Sequence, residues 1–256
     1  MNMRITLLGT GTSQGVPVIA CDCKVCKSGN SKDQRLRSSV MIEVDNQTIV
    51  VDTGPDFRQQ MLRESVRKLD AILFTHHHKD HVAGMDDIRA FNYIMKKDMQ
   101  IYCTRVTEKA LRKEFPYVFS ENRYPGVPQV KINSIVNRSF KINGTTISPI
   151  KVKHYMMPVF GYRIKNFVYL TDVSDISDKE KGKMKNADLI VLDALRKEEH
   201  ISHFNLEQAL ALLKELNPKK ALLTHISHYM GLYDDLNSEL PEHIKLGYDG
   251  QQVTLG

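Results

Sequence analysis

The stretch THHHKDH, residues 75–81, sets four histidines and one aspartate directly behind the apolar run AILF, residues 71–74. A solvated loop has no need of so many ligand-type side chains, and a packed core is harmed by burying them unpaired. Residues two apart on an extended segment share a face, so His76, His78 and Asp80 should converge just past a strand end. His81 follows where the chain should turn, and His77, alternating to the other side, reads as a bystander. Histidine nitrogens and carboxylate oxygens are the usual protein ligands of zinc, manganese or iron. The stretch therefore reads as part of a metal site.

One loop cannot fill two coordination spheres. Further donors close other apolar runs: His154 ends ISPIKVKH, Asp172 ends FVYLTD and His225 ends KALLTH. Taken singly, each is a capping or surface residue; their shared placement at strand ends is what marks them. The assignment gives one ion His76, His78 and His154 and a second Asp80, His81 and His225. Asp172 bridges the two, because a carboxylate has an oxygen for each.

The bulk numbers bound the setting. With 256 residues, 41% hydrophobic and 26% charged, the chain suits one soluble domain over 1–256 with a substantial core. No repeat or long linker divides it, and no apolar run approaches the ~20 residues of a membrane span. MNMRITLLGTGTS reads as a first strand rather than a signal segment, so a cytoplasmic protein is expected. The net charge of +6 admits an anionic substrate, but the lysines are dispersed. KDQRLR (32–37) is too short to argue for nucleic acid. Three of the four cysteines cluster as CDCKVC (Cys21, Cys23, Cys26), which in a cytosolic chain points to metal rather than disulfides. Cys103 reads as a small buried hydrophobe.

Periodicity places these residues. RITLLGT is a strand, and VMIEVD-NQ-TIVVDTG is a hairpin turning near Asn46. DFRQQMLRES is a short helix capped by Asp56. DAILFTH is a strand covered on both faces. MDDIRAFNYIMKK and TEKALRKEF are helical, and PYVFSENRYPGVPQV is irregular. Strands resume in NGTTISPIKVKH, FGYRIKNFVYLTD and ADLIVLDAL. NLEQALALLKELNP is an amphipathic helix capped by Asn205, followed by KKALLTH and a closing pair of strands around DGQQ. Two packed sheets with helices outside are expected.

At these residues the chain resembles the metallo-β-lactamase superfamily, on GTGTSQGVP (9–17), VVDTG (50–54), THHHKDH, His154, Asp172 and LLTHISH (222–228). The resemblance implies an α+β fold, an αβ/βα sandwich of two mixed β-sheets with flanking helices, holding a dinuclear site. It also implies that Asp52 buttresses that site by hydrogen bonding. GTGTSQGVPVIACDCKVC is further similar to the opening of PhnP-type phosphodiesterases, which implies a structural zinc held by Cys21, Cys23, Cys26 and His228. A closed set of three thiolates and one imidazole suits such a site. His203, in HISHFNLEQAL, matches a family histidine that serves the leaving group, with His200 as competitor.

The resemblance thus implies hydrolysis of a small, cyclic phosphodiester by a hydroxide held between two divalent ions, manganese, zinc or iron, with Asp80 and His203 as catalytic groups. It implies a homodimer as well. The alternatives are a tRNA 3′-processing endonuclease and a non-catalytic metal or redox scaffold. The first usually carries a protruding basic arm, for which 151–162 is too short. The second normally has a carboxylate where this chain has His78. Segment 91–128, expected at the mouth of the site, has no residue-by-residue match.

Overall fold

The computed structural model describes residues 2–122 and 124–256; Met1 and Arg123, the latter inside the proline-bearing stretch 116–130, lie outside them. The opening run forms β1 (Met3–Gly9), antiparallel to β2 (Ser39–Val44), which turns into β3 (Gln47–Val51). Asp45 and Asn46 supply that turn with φ of 49° and 60°, the left-handed pair that matches strand twist. Parallel pairing then adds β4 (Ala71–Leu73), β5 (Met99–Cys103) and β6 (Val130–Ser134). β4 is buried along its whole length.

The second sheet begins with an antiparallel meander: β7 (Phe140–Ile142), β8 (Thr145–His154), β9 (Met157–Ile164) and β10 (Phe167–Leu170). It continues in parallel with β11 (Leu189–Asp193), β12 (Lys220–Thr224) and β13 (Ile244–Leu246). Finally β14 (Gln252–Leu255) returns to the first sheet and pairs with β1. The orders are β14-β1-β2-β3-β4-β5-β6 and β13-β12-β11-β10-β9-β8-β7, so two mixed sheets of seven strands face each other.

Strand periodicity sorts the core into three layers. Ile5, Leu7, Val40 and Ile42 of one sheet meet Ile147, Tyr162, Val191 and Leu222 of the other between the sheets. The alternate residues Leu8, Met41 and Val50 face outward. There they meet α1 (Phe57–Arg63), α2 (Lys79–Val82), α3 (Arg89–Met95), α4 (Arg105–Glu114) and α5 (Pro116–Phe119). The outer face of the second sheet, including Val168, Ile190 and Leu223, is covered by α6 (Asp178–Gly182), α7 (Leu206–Leu216) and α8 (Tyr233–Glu239). Burying apolar area on both faces of each sheet is the main driving force for this arrangement.

Several expectations are corrected. The two strands around DGQQ do not pair with each other: β13 lies beside β12, and β14 beside β1. The segment between them crosses from sheet to sheet past Gly247, where a Cβ would meet Leu7 Cδ1 at 2.6 Å. Asp56 precedes α1 but makes no side-chain cap; its carboxylate instead accepts from the Arg37 backbone N–H at 2.8 Å. β5 and β6 flank the segment read as helical and irregular, and α5 interrupts the proline-bearing stretch. No helix among the described residues is long and apolar enough to cross a membrane.

Candidate active site

The site forms at one end of the sandwich, where strands of both sheets stop. Asp52 follows β3, Asp172 lies just past β10 and His225 follows β12, with φ of 65°, 58° and 58°. A non-glycine residue held in this left-handed region costs on the order of 1 kcal/mol or more, and such residues cluster at functional sites. Here each sharp turn ends a strand: those at Asp172 and His225 leave the side chain among the donor groups, and that at Asp52 sets the carboxylate behind His81.

The histidine stretch departs from the extended path expected of it. His78 is its last extended residue (φ −64°, ψ 151°), and Lys79–Val82 is the helical turn α2. Asp80 and His81 therefore reach the gap from neighbouring positions on a helix, and Asp80 suits that helix's N-terminal turn. The VVDTG loop holds the turn in place: Thr53 N–H donates to the His81 carbonyl at 2.8 Å, and Gly84 N–H donates to the Thr53 carbonyl at 2.9 Å. Gly54 lies so close beneath that any Cβ would collide with the Asp80 carbonyl.

Two donor clusters hold the expected ligands, and a third group, His154, Asp172 and His203, overlaps them. The ligand atoms of His76, His78 and His154 lie within 4.8 Å of one another, and so do those of Asp80, His81, Asp172 and His225. Asp172 faces both. Its Oδ1 is 4.0 Å from His76 Nε2 and 3.9 Å from His154 Nε2. Its Oδ2 is 3.2 Å from His81 Nε2 and 3.5 Å from His225 Nδ1. Every residue expected in the dinuclear set is thus brought together. His77 joins neither cluster.

The outer nitrogens of the rings are tied down, which fixes the inner ones. His76 Nδ1 lies 3.0 Å from Thr75 Oγ1, and His154 Nδ1 lies 2.8 Å from the Ser202 carbonyl. His81 Nδ1 lies 2.7 Å from Asp52 Oδ2, while Asp52 accepts from Thr75 N–H and Oγ1–H at 2.9 and 2.8 Å. Asp52 therefore orients rather than faces the gap. Nε2 of His76 and Nε2 of His81 are left buried with no hydrogen-bond partner. Orphaned buried nitrogens are costly unless something accepts their lone pairs. Their setting of imidazoles and carboxylates fits a pair of divalent ions.

His203 completes the gap from the far side. It is buried, packs its ring against His154 and His225 at 4.6 and 4.9 Å, and places Nδ1 3.1 Å from Asp193 Oδ2. Burial lowers its pKa, but the Asp193 carboxylate, aided by Asp172 and Asp80, outweighs this and raises it to about 9. His200 sits outside this cluster and turns Nδ1 toward Ser202 at 3.2–3.3 Å. Asp193 escaped sequence reasoning; its only signal is an acid closing the apolar run LIVLD, the feature that marked Asp172.

A second cluster lies apart. The Sγ atoms of Cys21, Cys23 and Cys26 are 3.2, 3.4 and 3.5 Å from His228 Nδ1. Ligands about 2.3 Å (sulfur) and 2.0 Å (nitrogen) from a shared tetrahedral centre would stand roughly 3.5 Å apart, so the four residues fit a closed zinc site. The Cys26 backbone N–H holds the Cys23 thiol down, to about 6, whereas burial pushes the Cys26 thiol up to about 11. Cys103 is remote and buried, and burial pushes its thiol up to about 12.

Sequence and structure comparisons give the family. Residues 47–226 match the family described as "Beta-lactamase superfamily domain", and the chain belongs to that superfamily, with its metallo-β-lactamase fold. Within it the chain is a member of the PhnP family. It is 37% identical to a solved diphosphatase of that family, over 100% of this chain and 98% of the other, with a TM-score of 0.94. It is also 37% identical to an octanoyltransferase of Porphyromonas gingivalis, over 99% of this chain but 52% of the relative, so it spans about half of that protein's length. An exodeoxyribonuclease WalJ of Streptococcus pneumoniae is 29% identical over 61% of this chain and 58% of its own.

Proposed function

We propose that the chain is a dinuclear metal-dependent phosphodiesterase acting on a small, cyclic phosphodiester. The observation that carries this reading is Asp172, which turns one oxygen to each donor cluster beside the buried Nε2 atoms of His76 and His81, which make no hydrogen bond. His76, His78 and His154 would hold one ion and Asp80, His81 and His225 the other, with Asp172 between them. When bound, two such ions supply Lewis acidity to the phosphoryl oxygens and lower the pKa of water. Manganese, zinc and iron all suit this donor set. Cys21, Cys23, Cys26 and His228 would hold a structural zinc.

The chain's own groups then divide the proton transfers. Asp80, at the edge of the gap, orients the attacking water and accepts its proton as oxygen bonds to phosphorus. The ester P–O bond opposite breaks, and His203, steadied by Asp193, gives a proton to the departing oxygen. No covalent enzyme intermediate is required. The diphosphatase of the PhnP family and the exodeoxyribonuclease both bear names of phosphoryl chemistry, which supports the reaction class. The β8–β9 hairpin turns in two residues, Tyr155 and Met156, with His154 opposite Met157, which leaves no nucleic-acid arm there and favours a small substrate over tRNA. The whole of 1–256 would serve as one cytoplasmic hydrolase domain.

Hydrolysis of bis(p-nitrophenyl) phosphate with added manganese or zinc tests the reading. The wild-type chain should turn it over, and Asp80→Ala and His203→Ala should each lose roughly 100-fold or more in kcat. Binding of two ions with no hydrolysis of any phosphodiester would overturn it in favour of a metal scaffold.

A further inference from the structure

A groove of about 380 Å³ adjoins the three-histidine cluster and plays no part in the reaction described above. His76 is in its wall, and Met157, also in its wall, stands opposite His154 across the β8–β9 hairpin. The lining is mostly apolar: Val106 at the start of α4, Ile135 and Val136 after β6, and Met157, Pro158 and Phe160 of β9. Val106 and Val136 are 60% and 65% exposed, an open apolar surface directly beside a polar reaction centre.

Three polar side chains of the lining, Thr104, Thr107 and Asn137, bond within the protein, while a fourth, His77, makes no hydrogen bond among the described residues. Thr104 Oγ1 accepts from the Thr107 N–H at 3.2 Å and lies 3.1 Å from Thr107 Oγ1. Asn137 donates Nδ2–H to Glu180 at 2.9 Å and accepts from Lys183 Nζ at 2.7 Å. The groove also has two cations, Arg105 and Lys151, neither with an ion-pair partner among the described residues. Apolar walls with two cations beside them suit an aliphatic chain attached to an anionic head.

We propose that the groove seats an aliphatic substituent of the substrate, an alkyl or acyl chain carried on the alcohol skeleton of the phosphodiester. This rests on the phosphodiesterase reading and names the substrate class for it. Each methylene buried in the groove should tighten binding about threefold to fourfold, from ~0.8 kcal/mol per buried CH₂.

The experiment uses the metal-loaded protein and a series of p-nitrophenyl alkyl phosphates with methyl, butyl and octyl esters, alongside calorimetric binding of methyl and octyl phosphate. KM should fall steadily from methyl to octyl, octyl phosphate should bind more tightly than methyl phosphate, and Val136→Asp should flatten both trends. Val106→Asp, elsewhere in the lining, provides the same reading should the first variant fold poorly. Turnover of all three esters with equal KM and equal calorimetric affinities would overturn the groove assignment and leave the phosphodiesterase standing. Absence of any turnover, with octyl phosphate still bound more tightly than methyl phosphate, would support the groove and contradict the reaction.

Discussion

Asp52 shows how much of this site depends on residues that would touch neither ion nor substrate. Its carboxylate holds His81 Nδ1 at 2.7 Å and is itself held by Thr75. Replacing such an orienting carboxylate typically weakens metal affinity 10- to 100-fold. Asp52→Ala should therefore bind manganese at the Asp80–His81–His225 position 10- to 100-fold more weakly in a titration, while the three-histidine position is less affected. Equal affinity in the variant would mean that the contact is incidental. Cys103 gives a contrasting case, since burial pushes its thiol up to about 12 and thiolate is the reactive form. N-ethylmaleimide should leave Cys103 unmodified in the native chain and label it once the chain is unfolded, as read by mass spectrometry of peptides. At this scale the sequence was most legible where residue type is chemically specific: histidines packed four to a turn have few other uses. Asp193 was missed because a strand-end acid is common, and the Ser202 carbonyl that holds His154 belongs to the backbone and carries no residue signal at all.

The helix that follows His203 shows what local sequence determines among the secondary-structure elements. Asn205 accepts from the Gln208 N–H at 2.9 Å, and Gln208 Oε1 accepts from the Asn205 N–H at 3.0 Å, a reciprocal cap on α7. Asn205→Ala should cost about 1 kcal/mol of stability, read as a lower urea midpoint with an unchanged slope. This cap was legible, because both partners lie within four residues. The path of 75–81 was not: alternation alone predicts an extended run, whereas the turn α2 is fixed by the hydrogen bonds that Thr53, in another loop, donates to the His81 carbonyl and accepts from the Gly84 N–H. Likewise β13 and β14 resembled a hairpin because they are neighbours in sequence. Their partners, β12 and β1, are fixed by long-range pairing that no local pattern encodes.

For the whole molecule, the order of strand-rich, helical and strand-rich segments pointed to two sheets, while the sorting of Ile5, Leu7, Val40 and Ile42 inward and of Leu8 and Met41 outward is visible only in the structure. Their strand order likewise came from the structure. The same stacking brings six chain segments to one end of the sandwich, and the function proposed here stands or falls on what they hold. Metal content, measured after purification without added metal and again after chelation and reloading with manganese, addresses this most directly. Expected are three ions per chain after reloading: one zinc that survives the chelator and is lost in Cys21→Ser, and two exchangeable ions whose return restores phosphodiester hydrolysis. A chain that never binds more than one ion, or that hydrolyses phosphodiesters equally well after the exchangeable ions are removed, would contradict the paired centre at Asp172.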